Sequence, residues 1–326
     1  MNSGFDATST TKDVLHGVDL SGKCFLVTGV SAGLGIETAR ALVAHGASVL
    51  GTARDIQKAE QATGSIREAA EATNGSFELI QLDLADLASV RTCTGQLRHQ
   101  GREIDVVIAN AGVMGTPSGR TKDGFETQFG TNYLGHFVFI NRIIPLLRDS
   151  GRIVILSSAA HGLSDIDLDD LNFDATPYDP WIAYARSKTA GILFAVELDR
   201  RHRERGIRAT AVHPGTIRTE LQRHYNAEQE AAYIALTRKG NTSSPAPVQW
   251  KTVQQGAATS IWASVIASGD LVGGQYCLNS NVALIVDSGD IRAGVRSYAL
   301  DTAHAQALWA KSEELVGEQF KARSIH

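Results

Sequence analysis

A glycine-rich turn between a short apolar run and a helical segment constrains this chain more than any other feature. Cys24-Phe25-Leu26-Val27-Thr28 reads as a buried strand, and Gly29-Val30-Ser31-Ala32-Gly33-Leu34-Gly35 follows at once. Ile36, Ala39 and Val43 then recur at helical spacing until Gly46. Gly29 allows a tight turn, while Gly33 and Gly35 let the backbone approach a pyrophosphate, which a helix N-terminus attracts. A glycine-rich turn in isolation often holds nothing. Its place after a strand and before a helix favours a ligand.

The rest of the chain repeats the alternation. Further strands are expected at Ser48–Ala53, Phe77–Leu82, Val106–Ala109, Ile153–Leu156, Ala209–Val212 and Gln275–Leu278, with helices between them. Short β-branched strands separated by helices predict a parallel sheet covered on both faces. The expected fold is α/β: one Rossmann-type doubly wound domain with a mostly or wholly parallel seven-stranded sheet. Residues 1–20 read as a polar N-terminal arm, frayed at its start, and residues 21–326 as the domain. Within it, the polar segment 219–255, with Asn241-Thr242-Ser243-Ser244-Pro245-Ala246-Pro247 in its middle, follows the sixth strand. That is where a parallel sheet presents its ligand edge, so a substrate lid and a plain surface insertion are both open readings.

Bulk properties narrow the partners. The chain has 326 residues, 43% apolar and 20% charged, enough for a full core. A formal net charge of -4 gives no reason to expect nucleic acid or an anionic membrane. Cys24, Cys93 and Cys277 are far apart and form no CxxC pair, which argues against a disulfide framework or a zinc site. His136, His161 and His213 fit no common zinc spacing and read as structural. The aspartates between Asp165 and Asp170 lack the ligand alternation and glycine of a calcium loop. No metal is expected. Arg200-Arg201-His202-Arg203 reads as a solvated helix end. The first 20 residues lack the features of a signal peptide, and no run of about 18 apolar residues occurs. A soluble cytoplasmic protein without a membrane span is the expectation.

Tyr184 and Lys188 are the candidate catalytic pair, although a tyrosine and a lysine at this spacing often only share a surface helix. Four residues apart on a helix, they rise from one face and serve one site. An ammonium beside a phenol favours the phenolate, lowering a reference pKa of about 10 toward neutrality. Ser157-Ser158 ends the fifth strand, and only one of two adjacent strand residues can point into a site. At the end of the second strand, where a carboxylate would hold the ribose 2′-hydroxyl of NAD, stand Ala53 and then Arg54. A guanidinium suits a 2′-phosphate, which favours NADP (NADPH) with NAD as a weaker cofactor. Asp55 could instead pair with Arg54. Ala32 is not basic, so a second phosphate contact is left to a hydrogen bond from Ser31.

These motifs together resemble the short-chain dehydrogenases/reductases, from about Leu20 to Gly215 and more loosely beyond. The family's glycine loop is similar to Thr28–Gly35, its adenine-contacting acid to Asp83 before Leu84, and its Asn-Ala-Gly to Asn110, Ala111 and Gly112. The resemblance implies a catalytic tetrad of Asn132, Ser158, Tyr184 and Lys188, and selects Ser158 over Ser157. It implies Pro214, Gly215, Ile217 and Thr219 as further cofactor contacts, Thr219 on the nicotinamide carboxamide. In this scheme Tyr184 exchanges the substrate proton, and Lys188 lowers the Tyr184 pKa and holds the nicotinamide ribose. Ser158 holds the substrate oxygen, and Asn132 holds a water joining Lys188 to solvent. Thr131–Phe137, Ser157–His161, Trp250–Thr252 and Leu308-Trp309 further resemble the branch of retinol dehydrogenases and WW-domain oxidoreductase.

The implied substrate is an alcohol, aldehyde or ketone. Leu221, Tyr225, Tyr233, Ile234 and Leu236, with Tyr178 and Trp181, suggest an apolar rim. A homodimer or homotetramer joined through the helices after the fourth and fifth strands is implied as well. Two other readings remain: a sugar-nucleotide epimerase-like enzyme, disfavoured by the TGxxxGxG spacing, and a non-catalytic NADP sensor or interaction protein, disfavoured by the intact tetrad.

Overall fold

The computed structural model describes residues 3–222, 225, 230–231, 233–235, 250–290 and 292–321. Leu236, the 241–247 run and most of the 219–255 segment lie outside them.

The sheet runs β3-β2-β1-β4-β5-β6-β7-β8. Its strands are β1 Cys24–Thr28, β2 Ser48–Ala53, β3 Ser76–Gln81, β4 Ile104–Ala109, β5 Leu147–Leu156, β6 Arg208–His213, β7 Tyr276–Leu278 and β8 Asn281–Val282. β1 to β7 pair in parallel, and β1 lies between β2 and β4. Chain direction across the sheet therefore reverses between β1 and β4, and a crevice opens there at the carboxyl ends of the strands.

The expected seven strands become eight. β8 pairs antiparallel with β7, Cys277 opposite Val282 and Leu278 opposite Asn281. Asn279 and Ser280 form the two-residue turn, with φ of 50° and 56°. Two positive φ values suit the twist of a tight hairpin, and asparagine tolerates them well. A two-residue strand is too short to leave an alternation in the sequence.

Both faces of the sheet are covered. Helices α1 Gly33–Val43 and α5 Val253–Ile261 bury one side, with Leu42, Val43, Ala258 and Ile261 in its core. Helices α2 Leu87–Gln100, α3 Gly135–Ile143, α4 Pro180–His202 and α6 Thr302–Val316 bury the other. Asp179 starts α4 by accepting from the Trp181 and Ile182 N–H groups, and Pro180 fits the first helical position, where no N–H is needed. α6 lies against α3 and α4, with the Trp309 ring centroid 5.0 Å from that of Phe137 and 5.8 Å from that of Phe194.

The basic end of α4 is solvated at Arg200 and Arg203 but also serves a buried carboxylate. Arg200 and Arg201 both bond the fully buried Glu197, and Arg201 also lies 4.0 Å over the Trp309 ring. A buried carboxylate needs such partners, and the sequence pattern of basic residues does not reveal it. Residues 3–20 pack onto the domain: Val14 and Leu15 are buried, and Asn281 exchanges hydrogen bonds with Ser3 and Phe5. Among the described residues no helix is long and apolar enough to cross a membrane.

Burial lowers the pKa of His136, His161 and His202 to about 4 and that of His213 to about 3. Between those values and the unfolded value of about 6.5, the unfolded chain binds more protons. Stability therefore rises with pH in that window and is lost as pH falls through it. The urea midpoint should be lower near pH 5 than near pH 7.5, and equal midpoints would contradict this.

Candidate active site

The carboxyl ends of β1, β4, β5 and β6 form one contiguous site. Gly29 takes φ of +75°, and a Cβ there would meet the Ala111 Cβ at 2.8 Å. A Cβ on Gly35 would stand 2.1 Å from the Gly29 carbonyl oxygen. Only glycines allow β1, α1 and the end of β4 to come this close. Asn110 fastens the contact, its Nδ2 donating to the Thr28 carbonyl at 2.8 Å and the Gly29 carbonyl at 3.1 Å.

Beside this contact runs a groove lined by Gly29, Ser31, Ala32, Gly33, Leu34, Arg54, Asp83, Leu84, Asn110, Ala111, Gly112, Tyr184, Lys188, Pro214 and Thr219. Gly35 lies behind it, and Gly215 and Ile217 line a neighbouring cavity instead. The groove has the features of an anion cradle. Ala32, the N-cap of α1, offers no side-chain cap, so first-turn N–H groups remain for a ligand. Thr131 Oγ1 is buried beside the groove without a partner among the described residues. Arg54 makes no ion pair among them either, because Asp55 caps the next helix by accepting from the Lys58 N–H at 3.0 Å. A dinucleotide phosphate fits this donor set.

The second cavity is lined by Met114, Leu163, Trp181, Ile217, Leu221 and Tyr233, with Ser158, Tyr184 and His213 among its polar groups. Of the residues expected at its rim, Trp181, Leu221 and Tyr233 line it, and Tyr225 packs on Trp181 at 5.8 Å. Tyr178 does not. Its hydroxyl donates to the Thr116 carbonyl at 2.9 Å and supports the loop after β4.

Tyr184 lines both groove and cavity. Ser158 shares the cavity wall with it, and its Oγ accepts from the Ala160 N–H at 3.1 Å. Ser157 is engaged elsewhere, donating to the Lys188 carbonyl at 3.0 Å. Lys188 Nζ donates to the Leu156 carbonyl at 2.9 Å and lies 5.5 Å from the Tyr184 ring centroid. Burial pushes Lys188 down to about 8.

The expected lowering of Tyr184 needs correction. Desolvation raises its pKa above the ordinary tyrosine value, and the Ser158 hydroxyl opposes this only in part. A phenolate shut away from water costs more than these side chains return.

Asn132 lies in a π-helical turn, Gly130–Leu134, a distortion frequent at functional sites. Its Nδ2 donates to the Val113 carbonyl at 2.9 Å and Ser187 Oγ at 3.0 Å, and its Oδ1 accepts from the Val113 N–H at 2.8 Å. Both amide protons are taken, so the side chain braces the strand end beneath Lys188. Sequence reasoning missed Thr28, whose hydroxyl accepts from the Ala111 N–H at 3.0 Å and contacts His136 Nε2 at 3.0 Å. A threonine ending a strand carries no distinguishing signal.

The chain belongs to the short-chain dehydrogenase family, whose model, described as short chain dehydrogenase, matches residues 23–230. Its relatives include retinol-dehydrogenase-like members. It is 43% identical to a "Probable oxidoreductase" of Streptomyces lividans over 90% of this chain and 97% of that one. It is 36% identical to retinol dehydrogenase 13 of Homo sapiens over 91% and 86%. Among solved structures, an uncharacterized protein from Mycobacterium paratuberculosis matches with a TM-score of 0.71 and 34% identity, over 96% of this chain and 99% of that one. A protein described as a blue fluorescent protein from a metagenomic library, in complex with NADPH, matches with a TM-score of 0.60 and 28% identity, over 83% and 98%.

Gly35→Ala should disrupt the site from beneath, since its methyl would collide with backbone. A thermal melt should show a loss of at least about 2 kcal/mol, in the range for overpacking and backbone strain. An unchanged melting temperature would contradict the close contact.

Proposed function

We propose that this protein is an NADP(H)-dependent oxidoreductase that moves hydride between a nicotinamide and an apolar alcohol or carbonyl substrate. The observation that carries the reading is Tyr184, which lines both the phosphate-suited groove and the apolar cavity, with Ser158 on the cavity side. The NADPH-bound relative of similar fold supports the same cofactor here.

Bound in the groove, a nicotinamide supplies or takes up the hydride. The glycine turn and the α1 N-terminus hold the pyrophosphate, Arg54 the 2′-phosphate and Asp83 the adenine. Lys188 holds the nicotinamide ribose, and Thr219, which lies over Gly33, the carboxamide. Ser158 Oγ accepts from the Ala160 N–H, which leaves its own proton for the substrate oxygen. Tyr184 gives that oxygen a proton in reduction or accepts one in oxidation. Its raised pKa keeps the phenol protonated at neutral pH, the form reduction requires. The family's usual subunit contact would need α3 and α4, but α6 already lies against them. Any homo-oligomer therefore uses another surface.

Tyr184→Phe should lower NADPH-dependent reduction of a mixed panel of aldehydes and ketones by at least about 100-fold while NADPH still binds. A normal rate would remove Tyr184 from the chemistry. Arg54→Ala should lower kcat/KM for NADPH by about tenfold to 100-fold, the scale of one charge-assisted hydrogen bond, and leave NADH within about twofold. Equal losses with both cofactors would argue against a 2′-phosphate contact.

A further inference from the structure

One histidine of the cavity wall has no part in hydride or proton transfer. His213 ends β6 and lines the same cavity as Ser158 and Tyr184. The Ala159 N–H donates to His213 Nδ1 at 3.3 Å. A backbone amide can only donate, so Nδ1 is bare and the neutral ring carries its proton on Nε2. Burial, with the Lys251 ammonium and His161 nearby, holds the ring neutral by pushing its pKa down to about 3.

The Nε2–H finds no acceptor among the described residues, yet it is not one of their sealed, unpartnered polar atoms. It therefore opens on the cavity that the ring lines. Two other polar side chains of the cavity are engaged, Gln222 with Ile217 and Thr219, and Arg292 with Asp290. The ring docks through Nδ1 on the N–H of Ala159, the residue after Ser158, and lines the same cavity as the Ser158 hydroxyl, with its free donor on the ring's opposite edge.

We infer that His213 is a second substrate-binding donor, selecting carbonyl compounds that carry an acceptor oxygen on the neighbouring carbon, such as vicinal diketones and α-oxygenated ketones. This rests on the oxidoreductase reading above. Hydride from the bound NADPH and a proton from Tyr184 add to the reacting carbonyl, forming one C–H and one O–H bond as the cofactor is oxidised. The second oxygen is unchanged and accepts from Nε2–H. A simple monoketone leaves that donor unpaired in an apolar cavity, which is how a hydrogen-bonding site rejects an analogue lacking the acceptor.

The test compares 1-phenyl-1,2-propanedione with propiophenone, using NADPH and the full chain. His213→Asn keeps an acceptor near the Nδ1 position and removes the outer donor, whereas His213→Gln can restore a donor near Nε2. Wild type should favour the dione in kcat/KM by at least about tenfold. His213→Asn should abolish most of that preference with little change for the monoketone, and His213→Gln should recover part of it. Parallel losses on both substrates in both variants, at unchanged melting temperature, would make His213 a structural residue and overturn the inference. A preference that survives His213→Asn overturns it too, while leaving the oxidoreductase reading in place. If wild type binds NADPH but reduces neither compound nor any of the wider panel, that reading fails and this one falls with it.

Discussion

Everything at the ligand edge depends on the close backbone contact where β1 turns into α1. Gly35 sits against the Gly29 carbonyl, Gly29 against Ala111, and Asn110, just past β4, holds the start of the turn through the Thr28 and Gly29 carbonyls. The contact fixes the first helix with its N-terminus over the crevice. It also sets β1 and β4 side by side where the sheet reverses direction. An anion cradle and a switch-point crevice thus share one cause, a backbone approach that admits no Cβ.

The proposed acid–base group is held on an independent support. α4 carries Tyr184 and Lys188 on one face, and its carbonyl at Lys188 is locked to Ser157, the residue just past β5. Serine pairs often look interchangeable in a sequence. Here one member tethers helix to sheet while the other faces the cavity, so adjacent hydroxyls divide support from chemistry. Burial sets the protonation of both α4 groups in opposite senses, raising the phenol and lowering the amine, since each loses its charged form to desolvation.

Much of this was legible in advance because it repeats with a period. Seven parallel strands announced themselves as apolar β-branched runs, and the glycine turn by its place between two elements. What stayed hidden depends on contacts rather than pattern. β8 is two residues long and follows a turn with no glycine. The direction of the Tyr184 shift depends on how much water reaches the phenol, and no spacing encodes that. Nor does the sequence say that Glu197 is sealed beneath Arg200 and Arg201, or that Asn132 uses both amide protons on Val113 and Ser187. His213 read as structural, and its tautomer follows only from meeting a backbone amide at Nδ1.

The packing of α6 across α3 and α4 also sets an order on the making of the molecule. Those two helices leave the ribosome well before the segment that shields Phe137 and Phe194 has been synthesised. Until Trp309 arrives, the nascent chain presents an unshielded aromatic face on the helix that carries its acid–base pair. Chaperones that hold exposed apolar surface have a target there until Trp309 and Phe320 pack over it.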